Sequence, residues 1–592
     1  MPHSSASAMR PRDWAAAGLL LLGLAVLLRS ARYTDPLYGL DEQFYVVAGR
    51  RLLEGATPYV DLFDRKPVGL FALFAVLATI PADPLLVAKS AATLAAAAGA
   101  LLVALLAAPM ATRAAAVLAG IWYLVLLGML GGTVGQSPVF YNPLVAGAAL
   151  LALGTEAELR RGVDRRRALA AMALAGLAVQ VKPLAVFEAT AIGAWLFFRA
   201  ARVRGVGRSL GAAAALGAAA LLPTLLVAAF FTWTGRLDAW WFATMQSQGL
   251  KAGAFAPSSL ARLPTLLWGL AAPMALAVAG ATLSKRGERL TLLLGWAGAT
   301  LTEAFAIGQF HPHYASPFAL PASVLAAPLF ARGRIGALAL LAVAAVPMTR
   351  QVVGARAEAA IASRAYARVT AALPADTATR CLFIYGAPMS YYLHGRTCTV
   401  TPYLFIDQLG AAVEANALPI PATMALARAL ARRPGTVLTV SHAEWTERNR
   451  ANDALLARTL ARGYHPVATI PHGWGGIDPT PLVVWRRADL PWRENAVPQP
   501  AARSNAHAPF SAARFPIVTP DSPVLRIALK QRDLRQFDDF RRRRTVVRLF
   551  LASPSEHRLH RRRPAGKPGG SFIRAESRLQ SLNVPAHPRS VG

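Results

Sequence analysis

Charge and cysteine are both scarce in this sequence. Only 16% of its 592 residues are charged, where a soluble domain carries about 25%, and an ordinary water-soluble enzyme is thereby excluded. Two cysteines cannot build a disulfide framework or a four-ligand zinc site. Lysine is also rare, seven among 63 basic side chains, so each lysine near a membrane segment stands out. The membrane part also lacks a G-x-G-x-x-G after a strand, a phosphate-binding P-loop, an H-E-x-x-H and a D-x-D, which argues against nucleotide-sugar chemistry.

Apolar residues make up 55% of the chain, and mean hydropathy is +0.38. They are grouped into runs near 14–28, 68–81, 85–109, 114–130, 142–154, 168–181, 184–198, 210–232, 264–283, 290–306, 315–330 and 335–348. Runs of this kind are what a bilayer selects in a spanning helix. The sequence therefore predicts a polytopic α-helical membrane protein with 11 to 13 spanning helices.

Basic clusters at 160–167, 199–208, 285–289 and 332–334 mark cytoplasmic loops by the positive-inside rule, as does the polar, basic stretch before Trp14. We read residues 14–28 as a retained first helix whose N-terminal side is cytoplasmic, and 31–67, 131–141, Lys182, 233–262 and 307–313 as external. One conflict remains between residues 67 and 131. Three apolar runs lie between two external segments, where the number of crossings must be even, so one of the three is not a span.

The formal net charge of +32 is unevenly spread. Residues 491–592 carry 20 basic and 7 acidic side chains, a surplus of 13; the rest sits mainly in the short Arg-rich loops. No nucleic-acid partner is expected. The tail, rich in Pro, Arg, Ser and Ala, has the composition of a disordered segment. Before it, 351–490 reads as a small external α/β domain, with strands at Cys381–Tyr385, Thr436–Val440 and Leu482–Trp485 and helices at Thr423–Arg433 and Asn452–Arg462. Cys381 and Cys398 flank a segment of strand, turn and return; they form either a disulfide or a pair of small buried thiols.

The first external loop, YGLDEQFYVVAGRRLLEGATPYVDLFDRKPVG, concentrates Asp41, Glu42, Asp61, Asp64, Arg65 and Lys66 beside the membrane. An apolar stripe of Phe44, Val47, Ala48 and Leu52 suits an interfacial helix over 42–54, ended by Gly55, with Asp41 at its mouth. On the residues alone Asp41 is an N-cap, worth about 1 kcal/mol, and Asp61 and Asp64 are solvated carboxylates or partners of Arg65.

This loop resembles a family. The D-E pair, the stretch RRLLEGATPY and the closing DRKP look like the GT-C superfamily of polyprenyl-phosphate-sugar-dependent glycosyltransferases, in the bacterial branch related to protein O-mannosyltransferases and aminoarabinose transferases. Across 68–350 the resemblance is carried mainly by the helix pattern, Lys182-Pro183 and His313-Tyr314. It implies an integral enzyme of the bacterial inner membrane. The enzyme would move a sugar from a polyprenyl-phosphate donor to an acceptor hydroxyl of a glycan, lipid or protein on the periplasmic side, with inversion at the sugar.

In such enzymes the acid of the first external loop is the catalytic base, a role that falls on Asp41 with Glu42 beside it. Family members often carry another acid in the second external loop; here GGTVGQSPVFYNP has none, so a role there would pass to Gln136, Tyr141 or Asn142. That departure leaves a divalent metal open, and no cofactor is assigned. Lys66, Arg65, Lys182 and His313 are candidates for the donor phosphate, with His311 and Tyr314 as further candidates. For both lysines the plain alternative is a cation snorkelling from a helix end. The competing function is a transporter or flippase of lipid-linked or envelope precursors, which should place ionisable residues at mid-membrane in broken helices.

Overall fold

The computed structural model describes residues 10–154, 164–251, 255–440, 447–474 and 477–492. The basic loop residues Arg160 and Arg161 and the tail from residue 493 lie outside them. The helical part comprises α1 (Pro11–Arg29), α2 (Leu40–Leu53), α3 (Val68–Ala78), α4 (Pro84–Ala107), α5 (Arg113–Met129), α6 (Ser137–Leu153), α7 (Arg165–Val179), α8 (Val186–Arg204), α9 (Val206–Trp233), α10 (Leu263–Thr282), α11 (Glu288–Ala306), α12 (Ala319–Phe330), α13 (Arg334–Thr349) and α14 (Ala355–Ala371). Each apolar run of the sequence falls on one of these helices. Six helical stretches among the described residues are long and apolar enough to cross a membrane, so the protein is a multi-pass membrane protein.

Lipid-facing and core-facing helices differ in how they display apolar side chains. On α9, Leu221, Leu222, Leu225, Leu226 and Phe230 stand about half exposed or more, as a helix does when hydrocarbon rather than protein covers it. On α4 and α5, Ala92, Ala96, Ala100, Ala116 and Ala119 are buried, and these small residues let the two helices and α1 approach closely.

The run at 68–81 forms a helix that is short for a span. At 11 residues α3 is about 16 Å long, half of a ~30 Å hydrocarbon core. Both of its ends lie on the face of the first loop: Lys66 before it reaches Asp41, and Lys89 after it reaches Glu42. α3 packs against α2, with Gly49 under the Phe74 backbone.

A 38-residue helical run, Arg334–Ala371, links the helical part to a four-stranded sheet. It passes through a π-turn at Arg350–Gly354, just after Pro347 interrupts the regular hydrogen-bond ladder. α14 docks on the sheet and beside the turn Ser30–Arg32 that follows α1, where Arg32 pairs with Glu358. The strands are β1 (Leu382–Tyr385), β2 (Thr436–Val440), β3 (Tyr464–Trp474) and β4 (Ile477–Arg487), in the order β1-β2-β4-β3. β1 and β2 are parallel, the other pairs antiparallel. Helices α15 (Ala422–Ala431) and α16 (Arg450–Gly463) cover them.

β3 is the strand the sequence hides. Pro466 and Pro471 argue against a central strand, but β3 pairs only with β4, and an edge strand tolerates proline because its outer N–H groups need no partner. Cys381 and Cys398 are bridged, their Cα atoms 4.5 Å apart. The return strand reaches β1 through the Leu382 amide, which donates to the Cys398 carbonyl at 3.0 Å.

Candidate active site

The site is assembled where four loops meet at one end of the helices. α2 begins at Leu40, its N-cap being Gly39, which supplies no side-chain bond. Asp41 therefore sits inside the first helical turn and does not cap it, contrary to the plainest sequence reading. Its carboxylate turns to two other partners. Oδ1 lies 3.3 Å from Lys66 Nζ, and Oδ2 accepts from Gln136 Nε2 at 3.0 Å.

Lys66 comes to Asp41 because the loop folds back on itself. Asp64 Oδ1 accepts from the Lys66 backbone N–H at 2.9 Å and stands 3.4 Å from Nζ, so one ammonium faces two carboxylates. Burial works against the Lys66 charge, yet Asp64, Tyr45 and Asp41 hold its affinity for the proton well above normal. Burial would likewise raise Asp41, but Lys66 first, then His313 and the Gln136 donor, keep it down at about 2.

Gly69, three residues after Lys66, lets α3 reach the turn between α7 and α8. A Cβ there would stand 2.5 Å from the Gln180 carbonyl oxygen. Two residues beyond Gln180 is Lys182, 7% exposed. Its Nζ lies 3.6 Å from Glu303 Oε1 and 4.9 Å from the centre of the Tyr314 ring, yet it makes no hydrogen bond. Burial pushes its pKa down, and Glu303 opposes the shift. Glu303, near the end of α11, also accepts from the Tyr141 hydroxyl at 3.1 Å.

The 307–318 segment closes the group. His311 and His313 stack with ring centres 5.4 Å apart, and His313 lies 4.5 Å from the Tyr314 ring. Burial holds His313 at about 3 and His311 at about 4, so both are neutral at pH 7. The Asp41 charge acts on His311, His313, Tyr314 and Lys182 alike. Asp41, Lys66, Lys182, His311, His313 and Tyr314 thus form one cluster, half open above and buried below.

Three sequence candidates stand apart from it. Glu42 is fully buried and points away from Lys66, accepting from the Gly135 N–H. Arg65 is consumed elsewhere: its guanidinium pairs with Glu414 at 3.1 and 2.6 Å, and donates to Ser247 Oγ at 2.8 Å and the Ala417 carbonyl at 3.2 Å. Asn142 donates to the Tyr123 hydroxyl at 3.2 Å inside the helices. Of the three second-loop substitutes, Gln136 contacts Asp41 and Tyr141 contacts Glu303.

Glu303 and Glu188 are the functional-looking side chains that the sequence reading passed over. Both are fully buried, and Glu188 Oε1 accepts from Trp296 Nε1 at 2.8 Å. The signal was present, since a carboxylate inside an apolar run is costly and calls for a partner. With Lys89, they are ionisable side chains buried inside the helices. All three, however, lie within about two turns of a helix end on the site face.

Among the described residues no three His, Cys, Asp or Glu side chains converge as a metal ligand set. Asp41 and Asp64 are directed at an ammonium, so these residues do not fit a divalent ion and no step is derived through one.

The sequence matches no family model and no curated protein. In three dimensions the chain is similar to ArnT from Cupriavidus metallidurans, in a crystal structure bound to undecaprenyl phosphate. The TM-score is 0.53 at 16% identity, covering 82% of this chain and 100% of that one. The apo structure of the same protein gives 0.52 at 12% identity, covering 82% and 99%. At such identities the likeness is one of fold; aminoarabinose transferases are among the enzymes that the first loop resembles.

Proposed function

We propose that this protein is an integral membrane glycosyltransferase that moves a sugar from a polyprenyl-phosphate donor to an acceptor hydroxyl. The observation that carries the reading is Lys182: a buried ammonium that is ion-paired with Glu303 at 3.6 Å yet makes no hydrogen bond, near Asp41 and a second lysine, Lys66. A buried cation whose donors are left unused by its one carboxylate is stabilised by a further anion. A lipid phosphate meets that need at that depth. The ArnT crystal structure bound to undecaprenyl phosphate supports the same donor class.

The chemistry needs two things. A sugar on a lipid phosphate has a good leaving group, so the acceptor must lose a proton while the departing phosphate gains stabilisation. Asp41 takes the proton from the acceptor hydroxyl, the oxygen bonds to the anomeric carbon, and the bond to the phosphate oxygen breaks with its electron pair. In this single displacement the configuration inverts, and the new phosphate charge rests on Lys182 and Lys66, each a point-charge donor.

The low pKa of Asp41 comes chiefly from its pairing with Lys66. When Lys66 turns to the donor phosphate, Asp41 loses its counter-ion, and its basicity rises as the acceptor arrives. His313 and His311, being neutral, can accept or donate hydrogen bonds to sugar hydroxyls without adding charge. The reading includes the bacterial inner membrane, a cytoplasmic N-terminal side, a periplasmic site and sheet domain covering about 351–490, and a glycan, lipid or protein acceptor.

The test is direct. Purified protein in lipid, given a panel of polyprenyl-phosphate sugars, should release free polyprenyl phosphate and deliver sugar to an acceptor. Sugar analysis of the cell envelope with and without the gene should identify that acceptor. Movement of the intact lipid-linked sugar without bond cleavage would favour the transporter.

A further inference from the structure

Asp41 and Glu42 are neighbours on α2 but face opposite ways. Asp41 faces Lys66 and the open cluster; Glu42 is buried on the other side. One Glu42 oxygen accepts from the Gly135 N–H, and the other lies 4.0 Å from Lys89 Nζ, which itself donates to the Asp35 carbonyl. Arg29, near the end of α1 and also buried, donates to the carbonyls of Gly132 and, at 3.1 Å, Val134. Its Nε reaches Thr93 Oγ1 at 3.3 Å.

A carboxylate and a guanidinium thus grip the backbone of 132–135 from one side. The next residue is Gln136, whose side chain donates to Asp41. The grip is close: a Cβ at Gly135 would stand 2.7 Å from Glu42 Oε2, and one at Gly39 2.7 Å from Val134 Cγ2. A stretch containing Gly131, Gly132 and Gly135 has little stiffness of its own. Gln136 is the N-cap of α6, and the glycine-rich stretch that leads into it is held by Arg29 and Glu42.

We infer that Glu42 is a positioning residue: through the Gly135 amide it sets the loop that holds Gln136, and Gln136 in turn holds the Asp41 carboxylate in line for proton transfer. This rests on the reaction proposed above. Glu42 touches neither donor nor acceptor. The adjacent D-E pair then divides its labour, one acid for chemistry and the other for aim.

The experiment compares Glu42→Ala, Glu42→Gln, Gln136→Ala and the Glu42→Ala/Gln136→Ala double variant of the full-length protein. Two readouts are taken: transfer kinetics, and hydrogen exchange of the 131–137 amides. The Gln136 bond to the ionised Asp41 is worth about 10- to 150-fold, so losing it in Gln136→Ala, or misplacing it in Glu42→Ala, should lower kcat about tenfold or more. The donor KM should stay within about twofold, and the double variant should be no slower than Gln136→Ala alone. Glu42→Gln keeps an acceptor oxygen for the Gly135 amide and should retain most turnover, whereas Glu42→Ala should speed exchange at 131–137.

Multiplying losses, or a Glu42→Gln variant as inactive as Glu42→Ala with unchanged exchange, would overturn the inference. Should Glu42→Ala fail to fold, Gly135→Ala presses on the same carboxylate from the loop side. It should lower kcat similarly; an unchanged kcat there also overturns it. If the wild-type protein transfers no sugar, the reaction proposal fails, while hydrogen exchange still reports whether Glu42 holds the loop.

Discussion

Lys66 Nζ lies 3.3 Å from Asp41 Oδ1, and the two side chains are 25% and 18% exposed. Both are mostly buried, and the same ammonium faces Asp64 Oδ1 at 3.4 Å. The meaning of the Asp41–Lys66 contact is chemical: the pair stores a base and a phosphate-binding cation in one neutral unit until a phosphate separates them. Lys66→Ala should then weaken donor use by about 10- to 150-fold. It should also move Asp41 from about 2 toward the ordinary carboxylate value of 3.8. The acid limb of kcat/KM therefore shifts to higher pH, because the carboxylate is protonated sooner as pH falls. Unchanged donor kinetics with only a lower melting temperature would return Lys66 to the role of a snorkelling cation.

Lys182 and Glu303 make the complementary case. Removing one partner of a buried pair costs about 3 to 5 kcal/mol, so Lys182→Met should lower thermal stability as well as donor affinity. Adding Glu303→Gln removes the stranded charge. The double variant should recover stability and remain poor in donor binding. Thermal melts alongside donor titration separate the two effects, and restored donor binding would remove Lys182 from the phosphate site.

Much of this was legible in the sequence, for identifiable reasons. Hydropathy marked the helices because a bilayer tolerates few other patterns, and the charged first loop stood out because charge is scarce. The mistakes came from distance. α3 reads as a short span because its composition does not reveal that Lys66 and Lys89 return to the same face. Arg65 and Lys66 are neighbours of like charge, and nothing local tells that one meets Asp41 and the other meets Glu414. Asp41 looks like a cap because its partners, Gln136 and Lys66, are 95 and 25 positions away. β3 was hidden by two prolines that only an edge position permits.

Arg65 supplies a third prediction. With its guanidinium spread over Glu414, Ser247 and Ala417, and Lys251 2.9 Å from the same Glu414, it ties the first loop to the segments around 247 and 414. Arg65→Ala should destabilise the fold by about 3 kcal/mol or more, since Glu414 is buried. The donor KM of the folded fraction should change little. A large rise in donor KM without loss of stability would place Arg65 on the phosphate.

The Cys381–Cys398 bridge closes a separation of 17 residues, which stabilises by roughly 3 kcal/mol in the chain-entropy model. Such a bond persists in an oxidising compartment. Mass spectrometry of alkylated, non-reduced protein from native membranes should find neither cysteine labelled, and reduction should lower the melting temperature. Two labelled cysteines would argue against a periplasmic sheet domain.

Asp41→Asn in purified, folded protein is the most direct test of the central claim. The amide preserves the side chain's shape and one acceptor oxygen but cannot take a proton, and general-base catalysis is worth about 10²- to 10⁴-fold. Measured as release of polyprenyl phosphate from a lipid-linked sugar in the presence of acceptor, turnover should fall by at least about a hundredfold while the melting temperature stays near that of the wild type. Turnover close to wild type would show that Asp41 is not the base.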